Sequence, residues 1–223
     1  MSPRRHLRCI ALALGTAIVL AATTGIASSR TLSSNSQTFR ATFAVLEFFG
    51  EGIGFIDCPT TLEGSFHSRT ITKTARMLIG AITEARIKQN SCTNGTVSTF
   101  DGAESYNGTT PPNTLPWHVT YESFTGSLPS IEAVNMLVSR FRLGISTSAG
   151  VCIGQYGGSS DNVTYAATLG AGGAITSLRY IAGRNDIRLI RRDGGLVCPN
   201  VRIGGSASVT QLNSSASVRI TLI

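Results

Sequence analysis

The 223 residues contain no HExxH, no EF-hand loop, no C-x-x-C pair, no Walker loop and no G-x-S-x-G elbow. The usual signatures of zinc proteases, calcium loops, thiol redox sites, phosphate cradles and serine hydrolases are therefore missing. The glycine string LGAGGAIT at 169–176 lacks the third glycine of the dinucleotide fingerprint and the acidic residue that should follow it, so it reads as a β-turn. Lysine is almost absent, 2 residues against 17 arginines, and there is a single tryptophan. Beyond residue 30 no apolar run approaches the roughly 20 residues a membrane helix needs, so no transmembrane segment is expected in the mature chain. No cofactor is expected either.

What is present begins with an export signal. MSPRRHLR is followed by the apolar run CIALALGTAIVLAAT and the small-residue stretch TTGIASS, with cleavage expected after Ala27 or Ser29. Ordinary secretion is the reading, and Arg4-Arg5 leaves a twin-arginine route as its alternative. Cys9 opens the apolar run rather than following it, which argues against a lipid-anchored cysteine. Residues 1–29 are thus assigned to a signal peptide, 30–38 to a flexible polar lead-in and 39–223 to a single β-rich domain. Loss of Arg4, Arg5 and Arg8 lowers the formal charge from +7 to +4.

Cys58, Cys92, Cys152 and Cys198 remain after cleavage. In an exported chain they read as two disulfides with three possible pairings. Sequential pairing, Cys58 with Cys92 and Cys152 with Cys198, links segments that a meander or Greek key brings together. A four-cysteine zinc site is the competing reading, weakened by the missing C-x-x-C.

From Phe39 onward, alternation of apolar and polar residues predicts an antiparallel β-sandwich or barrel of about ten strands. In SASVRITLI, Ala216, Val218, Ile220 and Leu222 share one face; with the preceding SASVTQL this predicts a terminal hairpin turning at Asn213-Ser214. GGSSDN (157–162), GAGG (170–173), GRND (183–186) and RDGG (192–195) read as tight connections. The segment 70–89 has helical amphipathicity, but Gly80 and eight β-branched residues favour one bent strand or two strands. Residues 94–112 read as a strand fragment and then a long mobile loop. The N-x-S/T triplets at Asn94, Asn107, Asn162 and Asn213 are read as loops.

Two sets of side chains merit weighing as sites. In LPWHVTYESF a strand turns Trp117, Val119 and Tyr121 one way and His118, Thr120 and Glu122 the other. His118 and Glu122 are then about 13 Å apart at roughly 3.3 Å per residue, too far to pair. The candidate partners lie in DCPTTLEGSFHSRT, where Glu63, Ser65 and His67 share a face. If that strand adjoins the one holding His118, then His67, His118 and Glu63 form a candidate catalytic or metal cluster; two ordinary sheet histidines are the plainer reading. The second set is the arginine stretch 179–192, from which Arg184, Arg188, Arg191 and Arg192 are candidate binding residues. A solvated face is its plain reading, and an anionic polymer or cell-envelope component is the partner it would take.

In CPTTLEGSFHSRTITK, LPWHVTYESFTGSLPSI and SASVTQL the chain resembles a group of uncharacterised secreted β-rich proteins of GC-rich, actinobacterial-type bacteria, over about 39–223. The resemblance implies an exported β-rich protein and carries no activity, catalytic residue or ligand. Three functional expectations follow: a non-catalytic exported β domain with a binding or structural role, a polyanion or wall-polymer binder, and an extracellular hydrolase or metal-dependent enzyme using His67 and His118.

Overall fold

The computed structural model describes residues 31–181 and 186–223. The expected signal peptide, together with Arg184 and most of the GRND turn, lies outside the described residues. In chain order the strands are β1 (Leu32–Ser34), β2 (Thr38–Gly50), β3 (Gly54–Phe66), β4 (Thr70–Ile71), β5 (Leu78–Ile87), β6 (Gly95–Ser98), β7 (Trp117–Ser127) and β8 (Ser130–Ser139). There follow β9 (Arg142–Thr147), β10 (Cys152–Gly157), β11 (Asn162–Leu169), β12 (Ile175–Tyr180), β13 (Asp186–Ile187), β14 (Leu189–Gly195), β15 (Val201–Thr210) and β16 (Ile220–Leu222). The 70–89 segment forms β4 and β5, and its strands give way to a three-residue 3-10 turn at Gln89–Ser91.

Of the two architectures expected, the chain adopts the barrel. Strands β2, β3, β5, β7, β8, β11, β12 and β15 pair antiparallel in chain order, and β12 closes onto β15 through Leu178 opposite Ala207. Every barrel strand therefore has two neighbours, which removes the open edges of a flat sheet. Alternation decides what faces in. Along β3, Ile56, Cys58, Thr60, Leu62 and Phe66 are buried while Asp57, Thr61, Glu63 and Ser65 face outward. In β2 the inward set changes from Ala41 and Phe43 to Leu46 and Phe48, because a bulge between Phe43 and Leu46 inserts a residue and restores the apolar side to the lumen.

The lumen is filled. Among the described residues it retains an entirely apolar void of about 50 Å³, bordered by Leu62, Phe66, Ile82, Val119, Tyr165 and Val209 among others, and a second of about 30 Å³ towards Phe48, Trp117 and Phe141. Outside, Arg40, Glu63 and Glu84 align across β2, β3 and β5. Arg40 bonds Glu63 at 2.7 Å and Arg86 pairs with Glu84, so the two facing carboxylates are each held by an arginine. This outer wall is polar where a membrane-spanning barrel is apolar. No helix among the described residues is long and apolar enough to cross a membrane.

The two ends differ. Because the strands alternate in direction, the connections 50–54, 88–116, 139–162 and 180–201 all emerge at one end. The last three carry the strands of a second antiparallel sheet, β14-β10-β9-β6. Its inner face, with Val97, Leu143, Ile145 and Tyr156 buried, closes the mouth of the barrel. Both disulfides, Cys58–Cys92 and Cys152–Cys198, have the expected pairing and lie at this end. The first ties the 88–116 connection to β3. The second ties β10 to the link between β14 and β15.

The opposite end is closed by the sheet β16-β1-β4, with Leu32, Ile71, Val218 and Ile220 buried. Two expectations are corrected here. The lead-in is not loose, since Leu32 is fully buried and β1 pairs with both β16 and β4. The terminal hairpin reduces to one bridge, Thr210 to Ser217, after which β16 leaves β15 and pairs with β1. Val218 and Ile220 do point inward as their alternation predicts, but over the end of the barrel. Nor is RDGG a free turn: Arg192–Gly195 complete β14, opposite Gly154 to Cys152 across a bulged register. Of the four N-x-S/T asparagines, Asn162 opens β11 rather than lying in a loop.

Candidate functional site

Strand β7 places LPWHVTYESF as its alternation predicts, with Trp117, Val119 and Tyr121 buried and His118, Thr120 and Glu122 on the outer wall. The strand carrying Glu63 and Ser65 is not its neighbour, however. Strand β5 separates them, and Ser65, Ala81 and His118 line up across β3, β5 and β7. Two strand spacings amount to about 9.6 Å. His67 lies just beyond β3, its amide donating to the Ile79 carbonyl at 2.8 Å. Partial burial, Arg140 and His67 together lower the pKa of His118, favouring the neutral ring. The candidate carboxylate Glu63 bonds Arg40 at 2.7 Å, and Glu122 pairs with Arg76 at 3.1 Å. Among the described residues no three His, Cys, Asp or Glu side chains gather as metal ligands.

The arginine stretch is also dispersed. Arg188 bonds Asp161 at 2.9 Å and also reaches the Ser160 hydroxyl. Arg191 pairs with Asp193, and Arg192 donates to the Leu196 carbonyl at 3.0 Å. Arg184 lies outside the described residues. Two of the three described candidates are thus neutralised by a carboxylate, and Arg191 alone enters the cleft described next.

That cleft lies on the outer face of the four-stranded end sheet, under the connection 99–116. The connection, expected as a mobile loop, is a strap fixed by its own side chains. The Glu104 carboxylate accepts from the Thr99 amide at 2.6 Å, the Ile87 amide at 2.9 Å and the Thr99 hydroxyl at 3.0 Å. Burial holds its pKa above the usual carboxylate value despite these donors. Asp101 caps the amides of Ala103 and Glu104 at 2.8 and 3.0 Å. Tyr106 and Thr109 exchange backbone hydrogen bonds, and the Thr114 amide returns to the Phe100 carbonyl at 2.8 Å.

The tip of the strap is seated by Tyr106. Its ring packs on Gly144 of β9, where any Cβ would stand 2.2 Å from Cδ2. The ring centroid of buried Phe100 is 5.3 Å away. Its phenol donates to Asp193 Oδ2 at 2.8 Å, and Gln155 Nε2 donates to the same oxygen at 3.1 Å. Gly144, Gln155 and Arg191 form one row across β9, β10 and β14, so the sheet itself sets this geometry. Burial pushes the Asp193 pKa up, but hydrogen bonds from Arg191, Tyr106 and Gln155 outweigh it and leave the carboxyl below its ordinary value. The Tyr106 phenol is driven far above its ordinary value by burial and by Asp193. Beneath the sheet, the hydroxyl of fully buried Tyr156 lies 3.1 Å from Cys152 Sγ, and burial raises its pKa to about 12.

The cleft so formed holds about 470 Å³, within the range of about 300–1,000 Å³ found for small-ligand sites. Arg142 and Gln155 border it from the sheet, and Asn107, Thr110 and Pro112 from the strap. Sequence reasoning had placed none of Tyr106, Arg142, Gln155 or Asp193 in a site. Their only local signal is Asp193 itself, the acid that ends an arginine-rich run. Comparison with protein-family models, with curated proteins and with solved structures finds no match to this chain.

Proposed function

We propose that the chain is an exported, non-catalytic β-barrel domain that binds a component of the cell envelope or of the surroundings, and that the ligand sits on the end sheet rather than in the barrel. One observation carries this reading: the lumen is packed and sealed at both ends, whereas the connections of one end are built into a disulfide-stapled sheet with a preformed polar cleft. The two disulfides suit an oxidising setting, and the leader-like residues 1–29 suit secretion. The titratable groups of the cleft favour binding over catalysis, since Tyr106 is pushed up and Asp193 down, both away from the neutral range where a general acid or base works.

The partner class in this reading is an anionic polymer or envelope component, held at a discrete site rather than along an arginine stripe, because Arg188 and Arg202 are already paired with Asp161 and Asp186. The test is equilibrium binding of the mature chain to purified anionic wall polymers, with turnover of the polymer followed in parallel. Binding that weakens modestly between about 50 and 200 mM salt, with the polymer intact, is expected. Polymer cleavage, or no binding to any envelope fraction, would sink the proposal.

A further inference from the structure

The strap cleft has a chemical bias that narrows its ligand. We propose that it is a binding site for an acidic saccharide unit, a hydroxyl-bearing ring with one carboxylate, and that Arg142 receives the carboxylate with Arg191 beside it. This rests on the binding-domain reading above and specifies its ligand.

Charge gives the first argument. The cleft contains two guanidiniums, Arg142 and Arg191, and one carboxylate, Asp193, leaving one net positive charge. That carboxylate is spent: its side chain is only 9% exposed and it is held by Arg191, Tyr106 and Gln155. Arg142 is exposed and has no carboxylate partner among the described residues. The cleft is thus complementary to a single negative charge, and a planar guanidinium matches a planar carboxylate through two parallel hydrogen bonds.

Register gives the second. Arg142 lies opposite Gly157, and Gly144 and Arg191 lie on either side of Gln155, so both arginines rise from the same face of the sheet with one strand between them. Gly144 keeps that face low enough to seat the Tyr106 ring, and the cleft beside it is bordered by the two arginines, Gln155 and the strap.

The remaining lining suits the rest of such a ring. The Asn107 amide and Thr110 hydroxyl make no hydrogen bond within the described protein, so they remain available to ring hydroxyls, while Pro112 offers an apolar surface to ring C–H groups. The strap is already fixed by Glu104, Asp101 and Tyr106, so a ligand does not have to order it, which removes a common cost of binding at a loop.

The experiment is a ¹⁵N-edited NMR titration of the whole mature chain with D-glucuronate, with D-glucose and inorganic phosphate as matched probes. Glucuronate is expected to shift the Asn107 and Gln155 side-chain amides and the Gly144 amide. D-glucose and phosphate should each bind at least about tenfold more weakly, and Arg142→Gln should weaken glucuronate by about tenfold or more. Arg219→Gln, just before β16 at the opposite end, should leave the titration unchanged. Equal binding of phosphate would reject the saccharide, equal binding of glucose would reject the charge pairing, and an unaltered Arg142→Gln titration would reject the site. If wall polymer binds the chain but shifts residues outside the cleft, the ligand assignment fails while the binding-domain reading stands. If no polymer binds at all, both fail.

Discussion

The two ends of the barrel solve the same problem with different means. At one end a sheet of three short strands covers the lumen with Leu32, Ile71, Val218 and Ile220, and no disulfide lies there among the described residues. At the other a four-stranded sheet does the covering, and two disulfides and a side-chain-pinned strap then build outward from it. Closure of a barrel needs only apolar side chains over its mouth. The extra construction at one end holds polar groups in fixed positions at the surface, which closure does not require and recognition does.

The largest separation between the ends should come from covalent chemistry. Replacing Cys152 and Cys198 together by serine opens a link of 46 residues and should cost about 4 kcal/mol by the loop-entropy relation, read as a lower urea midpoint. The end sheet should also become open to proteolysis before the barrel does. At the opposite end, Ile220→Ala should cost about 3 kcal/mol through a cavity under the small sheet, while the strap amides keep their chemical shifts. Gly144→Ala is expected to cost about 2 kcal/mol, because its methyl collides with the Tyr106 ring, and to expose residues 99–116 to limited proteolysis. Tyr106→Phe removes only the bond to Asp193 and should cost about 1.5 kcal/mol with the strap still in place.

The smallest effect is a pH dependence. The Asp193 pKa in the folded chain lies below the ordinary value of about 3.9, so its contribution to stability is present above that pH and is lost as pH falls through the folded value. The stability difference between the parent and Asp193→Asn should hold from pH 7 to about 4 and close below it. A gap that already closes near neutral pH would show that the carboxylate is not held as described.

Much of the barrel was legible because alternation is a local property. The facing of Trp117, Val119 and Tyr121 and the preference for strands over helix in 70–89 follow from residue type and order, and the favoured sequential disulfide pairing, one of three possible, is the one formed. What alternation does not encode is the partner. Val218 and Ile220 read as a strand, but their partner β1 is nearly invisible, since it offers one large apolar residue, Leu32, among serines. Ser34 is buried at little cost because its hydroxyl donates to the Ser36 carbonyl at 2.6 Å, and the Ser36 hydroxyl donates to the Thr38 backbone carbonyl at 2.8 Å. Local polarity there concealed local satisfaction.

The cleft was hidden for a different reason. Tyr106 and Asp193 are 87 residues apart, and only the stacking of β9, β10 and β14 brings them together. The candidate cluster of His67, His118 and Glu63 meets the same limit. Its members have suitable chemistry and the two histidines feel each other's charge, but β5 lies between two strands assumed adjacent, and Glu63 is held by Arg40.

The central claim is that the closed barrel is a scaffold and the end sheet is the binding surface. Hydrogen exchange of the mature chain, with and without a purified anionic wall polymer, tests it most directly. Added protection is expected in the strap 99–116 and in β14, with the lumen strands and the β16-β1-β4 end unchanged. Protection centred on the β16-β1-β4 end, or on residues around the lumen void such as Ile82 and Val119, would contradict it.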